Sequence, residues 1–254
     1  MPIGTAAPTP AERAAAPHHL VEFLDPSERY SAARFAHDAS LAVAAIHARG
    51  RRAIVAGGTG FYIRALTGDV ALAPQHDEIV RARLAAEARV HEPAFLHGWL
   101  ALHDPQRAAA LDPNDTYRVL RALEVALAPP ASGGGASRTL ARDGVAFAKL
   151  FVDMPLDEND ARIAARADAM LASGFVEEAE RIGAGAVAAN AVGYPAALAY
   201  LAGLSTFGEL RARLAAATRR YARRQRAWFR SEPAVRWVTR DQVEAAAREM
   251  LGWP

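Results

Sequence analysis

Residues 53–62 read Ala53-Ile54-Val55-Ala56-Gly57-Gly58-Thr59-Gly60-Phe61-Tyr62. The first four are apolar with no polar alternation, the pattern of a parallel strand buried on both faces. Three glycines follow around Thr59, and helical residues then run from Phe61 to about Leu66. A strand, a glycine turn and a helix make the first half of a βαβ unit, so an α/β fold is expected. Glycines at such a junction let backbone approach a ligand, and a helix N-terminus favours an anion. Thr59 could add a hydroxyl donor. The same four residues also suit a tight turn with no ligand.

Working outward, residues 1–30 are broken by Pro2, Pro8, Pro10, Pro17 and Pro26. Ser31 then caps a helix to about Arg49, closed by Gly50. Beyond the glycine turn the signals are helical, over 78–90, 92–102, 105–111 and 116–128, the last capped by the Asp112-Pro113-Asn114-Asp115 turn. Residues 129–137, Pro-Pro-Ala-Ser-Gly-Gly-Gly-Ala-Ser, read as a flexible connection. Strand character returns at 145–152. Helices are expected over 157–173, 176–182, 195–203 and 207–230, with a last strand at 235–238 and a last helix at 241–251. Strands thus bracket a helical block. The organisation expected is an α/β core of residues 1–71 and 144–254 carrying an all-helical insertion at 72–143.

Composition narrows the class. Half the 254 residues are hydrophobic (52%), enough to build a core. No apolar run reaches the ~18 residues of a membrane span, residues 1–10 do not form a signal peptide, and there is no cysteine. A cytoplasmic protein with no membrane partner fits. The net charge of +2 does not announce a nucleic-acid binder, but its distribution is uneven. Lys149 is the sole lysine among 30 basic residues, and it follows no G-x-x-x-x-G pattern, so these residues contain no Walker A loop. From Arg211 to Arg230 there are eight arginines and no acid. Arg219, Arg223, Arg226 and Arg230 fall on one helical face, with Leu214, Ala217, Tyr221 and Trp228 roughly opposite. Like charges at i,i+4 repel, so the row suggests a polyanion; a solvated face in an arginine-rich protein is the plainer explanation. Arg166 lies on the helix after the 145–152 strand, where an arginine can reach a ligand at the strand's C-terminal edge. The histidines form no i,i+4 metal pair, and no metal-ligating residue is assigned.

Taken in order, several segments resemble bacterial tRNA dimethylallyltransferases. These are Ile3-Gly4-Thr5-Ala6, Pro17-His18-His19-Leu20 with Asp25-Pro26 and Tyr30-Ser31-Ala32, Gly57-Gly58-Thr59-Gly60-Phe61-Tyr62, and Pro113-Asn114-Asp115 with Arg118 and Arg121-Ala122-Leu123-Glu124-Val125. Arg162-Ile163 with Arg166, Met170 and Gly174-Phe175 follows, then Val192-Gly193-Tyr194, and then Thr218-Arg219-Arg220-Tyr221-Ala222-Arg223-Arg224-Gln225 with Trp228-Phe229. The resemblance implies a P-loop-kinase-like parallel sheet core with a helical insertion that grips the anticodon stem-loop. It implies transfer of a dimethylallyl group from dimethylallyl diphosphate to N6 of adenosine 37, with Mg2+, by a monomer.

Carried over motif by motif, Arg166, Gly58 and Thr59 match diphosphate-binding positions. Thr59, Arg81, Tyr117, Arg118, Arg121, Gly193, Tyr194, Arg219, Arg223 and Arg224 match tRNA-binding ones. The family's first strand, P-loop and catalytic carboxylate precede the Ile-Gly-Thr-Ala motif and have no counterpart here, so no catalytic residue is assigned, and the main Mg2+ ligands are expected in that segment. The polar pair that follows Gly-Tyr in the family is replaced by Pro195-Ala196. An N-terminally truncated chain is therefore expected, without prenyl transfer of its own. A catalytically dead tRNA-binding homologue is the alternative.

Overall fold

The computed structural model describes residues 1–70, 72, 78–128 and 138–252. The helices before the sheet are α1 (Pro2–Thr5), α2 (Pro10–Ala15), α3 (Ala32–Ala48), α4 (Gly60–Thr67), α5 (Glu78–Val90), α6 (Pro93–His103), α7 (Pro105–Ala109) and α8 (Thr116–Leu127). Strand β1 (Lys149–Val152) follows, then α9 (Leu156–Ala172), α10 (Phe175–Ile182), α11 (Tyr194–Leu201) and α12 (Phe207–Arg230). Strand β2 (Val235–Val238) and α13 (Val243–Leu251) close the chain. The fold is a mostly helical α/β arrangement with a small parallel sheet. No helix among the described residues is long and apolar enough to cross a membrane.

Helix ends follow local chemistry. The Ser31 hydroxyl accepts from the Arg34 N–H at 3.1 Å, and Gly50 takes φ +67° just past α3. Asp115 accepts from the Arg118 N–H at 3.2 Å and starts α8. At α12 a capping box closes both ways: the Thr206 N–H donates to Glu209 at 2.8 Å, and the Glu209 N–H to Thr206 Oγ1 at 3.3 Å.

The sheet differs from the sequence expectation. Among the described residues it holds two strands, β1 and β2, parallel, in register from Lys149↔Val235 to Val152↔Val238. Residues 53–56 form no ladder with either strand, and Ile54 is 84% exposed. An apolar run gives a segment the capacity to pair, but a strand also requires a hydrogen-bonded neighbour.

The chain divides into two compact units. Unit 1 comprises Met1–Val70 and Arg138–Pro254; unit 2 comprises Ala71–Ser137. Unit 2 is built on Leu84, Leu96, Leu100, Val119 and Leu123. In unit 1 one cluster gathers Ile163, Phe175, Tyr194, Leu210 and Leu214, and a second Ala39, Val43, Leu66 and Leu140. Residues 138–143 lie in unit 1, earlier than the 144 boundary read from sequence, because the Leu140 N–H donates to Leu66 O at 2.8 Å and Leu140 packs on α4. The 129–137 connection lies outside the described residues.

Candidate phosphate and RNA site

Helix α12 buries Leu210, Leu214 and Phe229 and turns its other side to solvent. Two of its arginines are spent within the protein. Arg226 pairs with Asp153 at 2.7 Å and donates to Met154 O at 3.2 Å, so it leaves the exposed row in which the sequence placed it. Arg211 pairs with Asp168. Arg220, Arg223, Arg224 and Arg230 are exposed, and Arg219 is half-buried. None of these five has an ion pair or hydrogen bond among the described residues. Arg224 lies 5.8 Å from the Tyr221 ring centroid. Four exposed, uncompensated guanidinium groups on about three turns make a surface suited to phosphates. Arg220 was not singled out from sequence.

The glycine turn packs on the same helix. A Cβ at Gly58 would overlap the Gln225 side-chain nitrogen, and one at Gly60 would overlap Trp228 Nε1. Gly60 is therefore required by the approach of the rigid Trp228 ring rather than by positive φ, whereas at Gly58 the flexible end of Gln225 can move aside. Thr59 is exposed and makes no side-chain cap bond to α4. Trp228 Nε1 is buried and has no hydrogen-bond partner among the described residues. Gln225 and Trp228 are three apart, hence on one face, but nothing local in the sequence signals the turn they meet. Gly60→Ala is expected to cost about 1–3 kcal/mol through overpacking against Trp228, measured as a shift in the urea unfolding midpoint; an unchanged midpoint would contradict this close packing.

A partly buried charge cluster joins the two helices that meet at the turn. Lys149 Nζ is 2.6 Å from both Asp69 and Glu232. Glu232, with a side chain 1% exposed, also pairs with Arg64, whose guanidinium carbon lies 4.7 Å from the Trp228 ring centroid. Burial pushes the Lys149 ammonium down, but its bonds to Asp69 and Glu232 outweigh that and hold it above its usual value. Burial likewise pushes Asp69 up, and the hydrogen bonds from Lys149 and Thr67 outweigh it and hold Asp69 low.

The remaining expected positions lie on other elements. Arg166 is exposed on α9. Gly193 has φ +95°, and a Cβ there would lie 2.5 Å from Leu214. Tyr194 is 1% exposed and donates its hydroxyl to Glu178 at 2.7 Å, so its ring belongs to the core. In unit 2, Arg81 and Arg121 both meet the buried Glu124, at 3.5 and 2.9 Å. Tyr117 is 75% exposed, and Arg118 is exposed beside Asp115 at 3.3 Å. Among the described residues no cluster of three or more His, Asp and Glu could hold a metal.

Comparison with known proteins gives the lineage. The profile of the IPP transferase family matches residues 1–232. The tRNA dimethylallyltransferase of Anaeromyxobacter sp. (strain K) is 46% identical, over 98% of this chain and 84% of that protein. That of Geobacter sulfurreducens is 42% identical, over 99% and 85%. The crystal structure of the tRNA isopentenylpyrophosphate transferase from Bacillus halodurans superposes with TM-score 0.66 at 33% identity, covering 100% of this chain and 83% of that one. The chain belongs to the IPP transferase family, that of the tRNA dimethylallyltransferases.

Proposed function

We propose that this protein serves tRNA prenylation, the transfer of a dimethylallyl group from dimethylallyl diphosphate to N6 of adenosine 37 beside the anticodon. The observation that carries the reading is the set of unpaired arginines on the helix that also clamps the glycine turn. Arg219, Arg223 and Arg224 would take phosphates of the anticodon stem-loop. Thr59, at the exposed tip of the turn, and the Gly58 backbone would face the diphosphate with Arg166. Gly193 would shape the loop beside the target base. In unit 2, Tyr117 and Arg118 are the exposed groups for RNA, while Arg81 and Arg121 would act through the surface that Glu124 holds in place. An N6 amine becomes accessible only when its base leaves the stack, so the protein would act on the unpaired loop, as a monomer.

The test is binding of a 17-nucleotide anticodon stem-loop hairpin, with adenosine or guanosine at position 37. Salt-sensitive binding is expected, with preference for adenosine. Equal affinity for the two hairpins would overturn the assignment of the target.

A second reading, a tRNA-binding homologue without transfer, is favoured by one observation: the sole lysine is held between Asp69 and Glu232, so no lysine of these residues is free to reach a phosphate. Labelled prenyl incorporated into the adenosine hairpin would exclude it.

A further inference from the structure

Lys149 is the one position among 30 basic residues where arginine does not stand. Its surroundings give a physical reason. Its ammonium is 2.6 Å from a carboxylate of Asp69, just past the end of α4, and 2.6 Å from Glu232, just past the end of α12. Its own backbone begins β1 and pairs with Val235 of β2. A single compact charge thus ties the strand to the far ends of the two helices. Lysine offers a point charge with rotatable donors; arginine offers a rigid planar fork that is longer and directional. With its side chain 9% exposed, Lys149 has little room for the larger group.

The cluster continues toward the glycine turn without a break. Glu232 also holds Arg64 in the middle of α4. Arg64 lies over the Trp228 ring. The indole nitrogen of Trp228 abuts Gly60, and Gln225, one turn earlier on α12, abuts Gly58. Lys149 and Glu232, the two members shielded from water, are costly unless paired, and Asp69 and Arg64 at the cluster's more open edges complete the pairing in one arrangement. Such a cluster therefore selects one placement of α4 against α12.

We propose that Lys149 is a positioning residue for the Gly57–Gly60 turn, fixing the α4 N-terminus against Gln225 and Trp228 through the Asp69–Glu232–Arg64 cluster. That the turn meets a diphosphate rests on the function proposed above; the placement of the turn does not.

Amide hydrogen exchange separates the two. The Tyr62 and Ile63 amides donate to Thr59 O at 2.9 and 3.2 Å and report the first turn of α4. The Ala197 amide, bonded to Gly193 O at 3.2 Å, reports the core around Glu178. In Lys149→Met, protection at Tyr62 and Ile63 is expected to fall at least about tenfold, with Ala197 changed by less than about twofold. Lys149→Arg is expected not to restore it. Should Lys149→Met fail to fold, Asp69→Asn removes one of the two partners and is expected to give the same local pattern, weaker. Equal loss at all three amides, no change at Tyr62 and Ile63, or full rescue by Lys149→Arg would each overturn the proposal. Lost protection at Tyr62 and Ile63 with unchanged binding of the hairpin and of diphosphate would instead count against the proposed function.

Discussion

Replacing Arg219, Arg223 and Arg224 together with alanine is expected to weaken anticodon stem-loop binding about 100-fold near 0.15 M salt. The figure follows from counterion release. Each phosphate contact contributes a slope of about 0.7–0.9 in log K against log salt, so three contacts are worth about two decades between 1 M and 0.15 M. The slope itself should fall by about two to three. Arg226→Ala is the internal control. Its guanidinium is spent on Asp153 and Met154, so it should reduce stability more than it reduces the salt slope. If the triple variant bound with unchanged affinity, the α12 surface would not be the RNA site. Arg220, exposed and unpaired between these positions, should add a further contact when it too is replaced.

The largest single-site effect on stability is expected at Glu178. Its side chain accepts from the Ile3 N–H at 2.9 Å, the Gly4 N–H at 2.8 Å and the Tyr194 hydroxyl at 2.7 Å, and the residue is 2% exposed. Glu178→Ala leaves three donors without their acceptor and is expected to cost about 3 kcal/mol. Glu178→Gln retains one acceptor oxygen and should cost about half as much. Urea unfolding of the three proteins measures this. The pH dependence has a definite sign. Burial raises the Glu178 carboxyl, but the bonds from Ile3, Tyr194 and Gly4 outweigh burial and hold it below the ordinary 4.5. A depressed carboxyl stabilises the fold above its unfolded value, and that stability is lost as pH falls through the folded value. The gap between the wild-type protein and Glu178→Gln should therefore narrow as pH drops below 4.5. A gap that widened in acid would contradict the ionised carboxylate.

What the sequence disclosed and what it hid divide by distance along the chain. Ser31, Asp115 and the Thr206–Glu209 pair act on residues three positions away, so the starts of α3, α8 and α12 could be read directly. The 24 residues of α12 match their expectation to the residue. Residues 53–56 did not, because pairing depends on a neighbour that no local pattern records. The arginine face was half legible. Helical spacing grouped Arg226 with Arg223, but its partner Asp153 lies 73 residues away and takes it out of the row. The partners of Gln225, Trp228 and Lys149 gave no signal. Lys149 meets Asp69 across 80 residues and Glu232 across 83, separations over which only the folded chain decides who meets whom.

The bonds from Ile3 and Gly4 to Glu178 span 175 and 174 positions. At ribosomal rates of about 5–20 residues per second, the Ile-Gly-Thr segment waits roughly 10–35 s after its own synthesis for its acceptor to emerge. Throughout that interval its two amides have only water to bond. Unit 2, contiguous in sequence, is complete well before then. Unit 2 can therefore complete before α1 gains its acceptor on α10. Slowed elongation between unit 2 and α10 would prolong a partly folded state in which α1 has no acceptor to dock on, and a chaperone would be able to reach it.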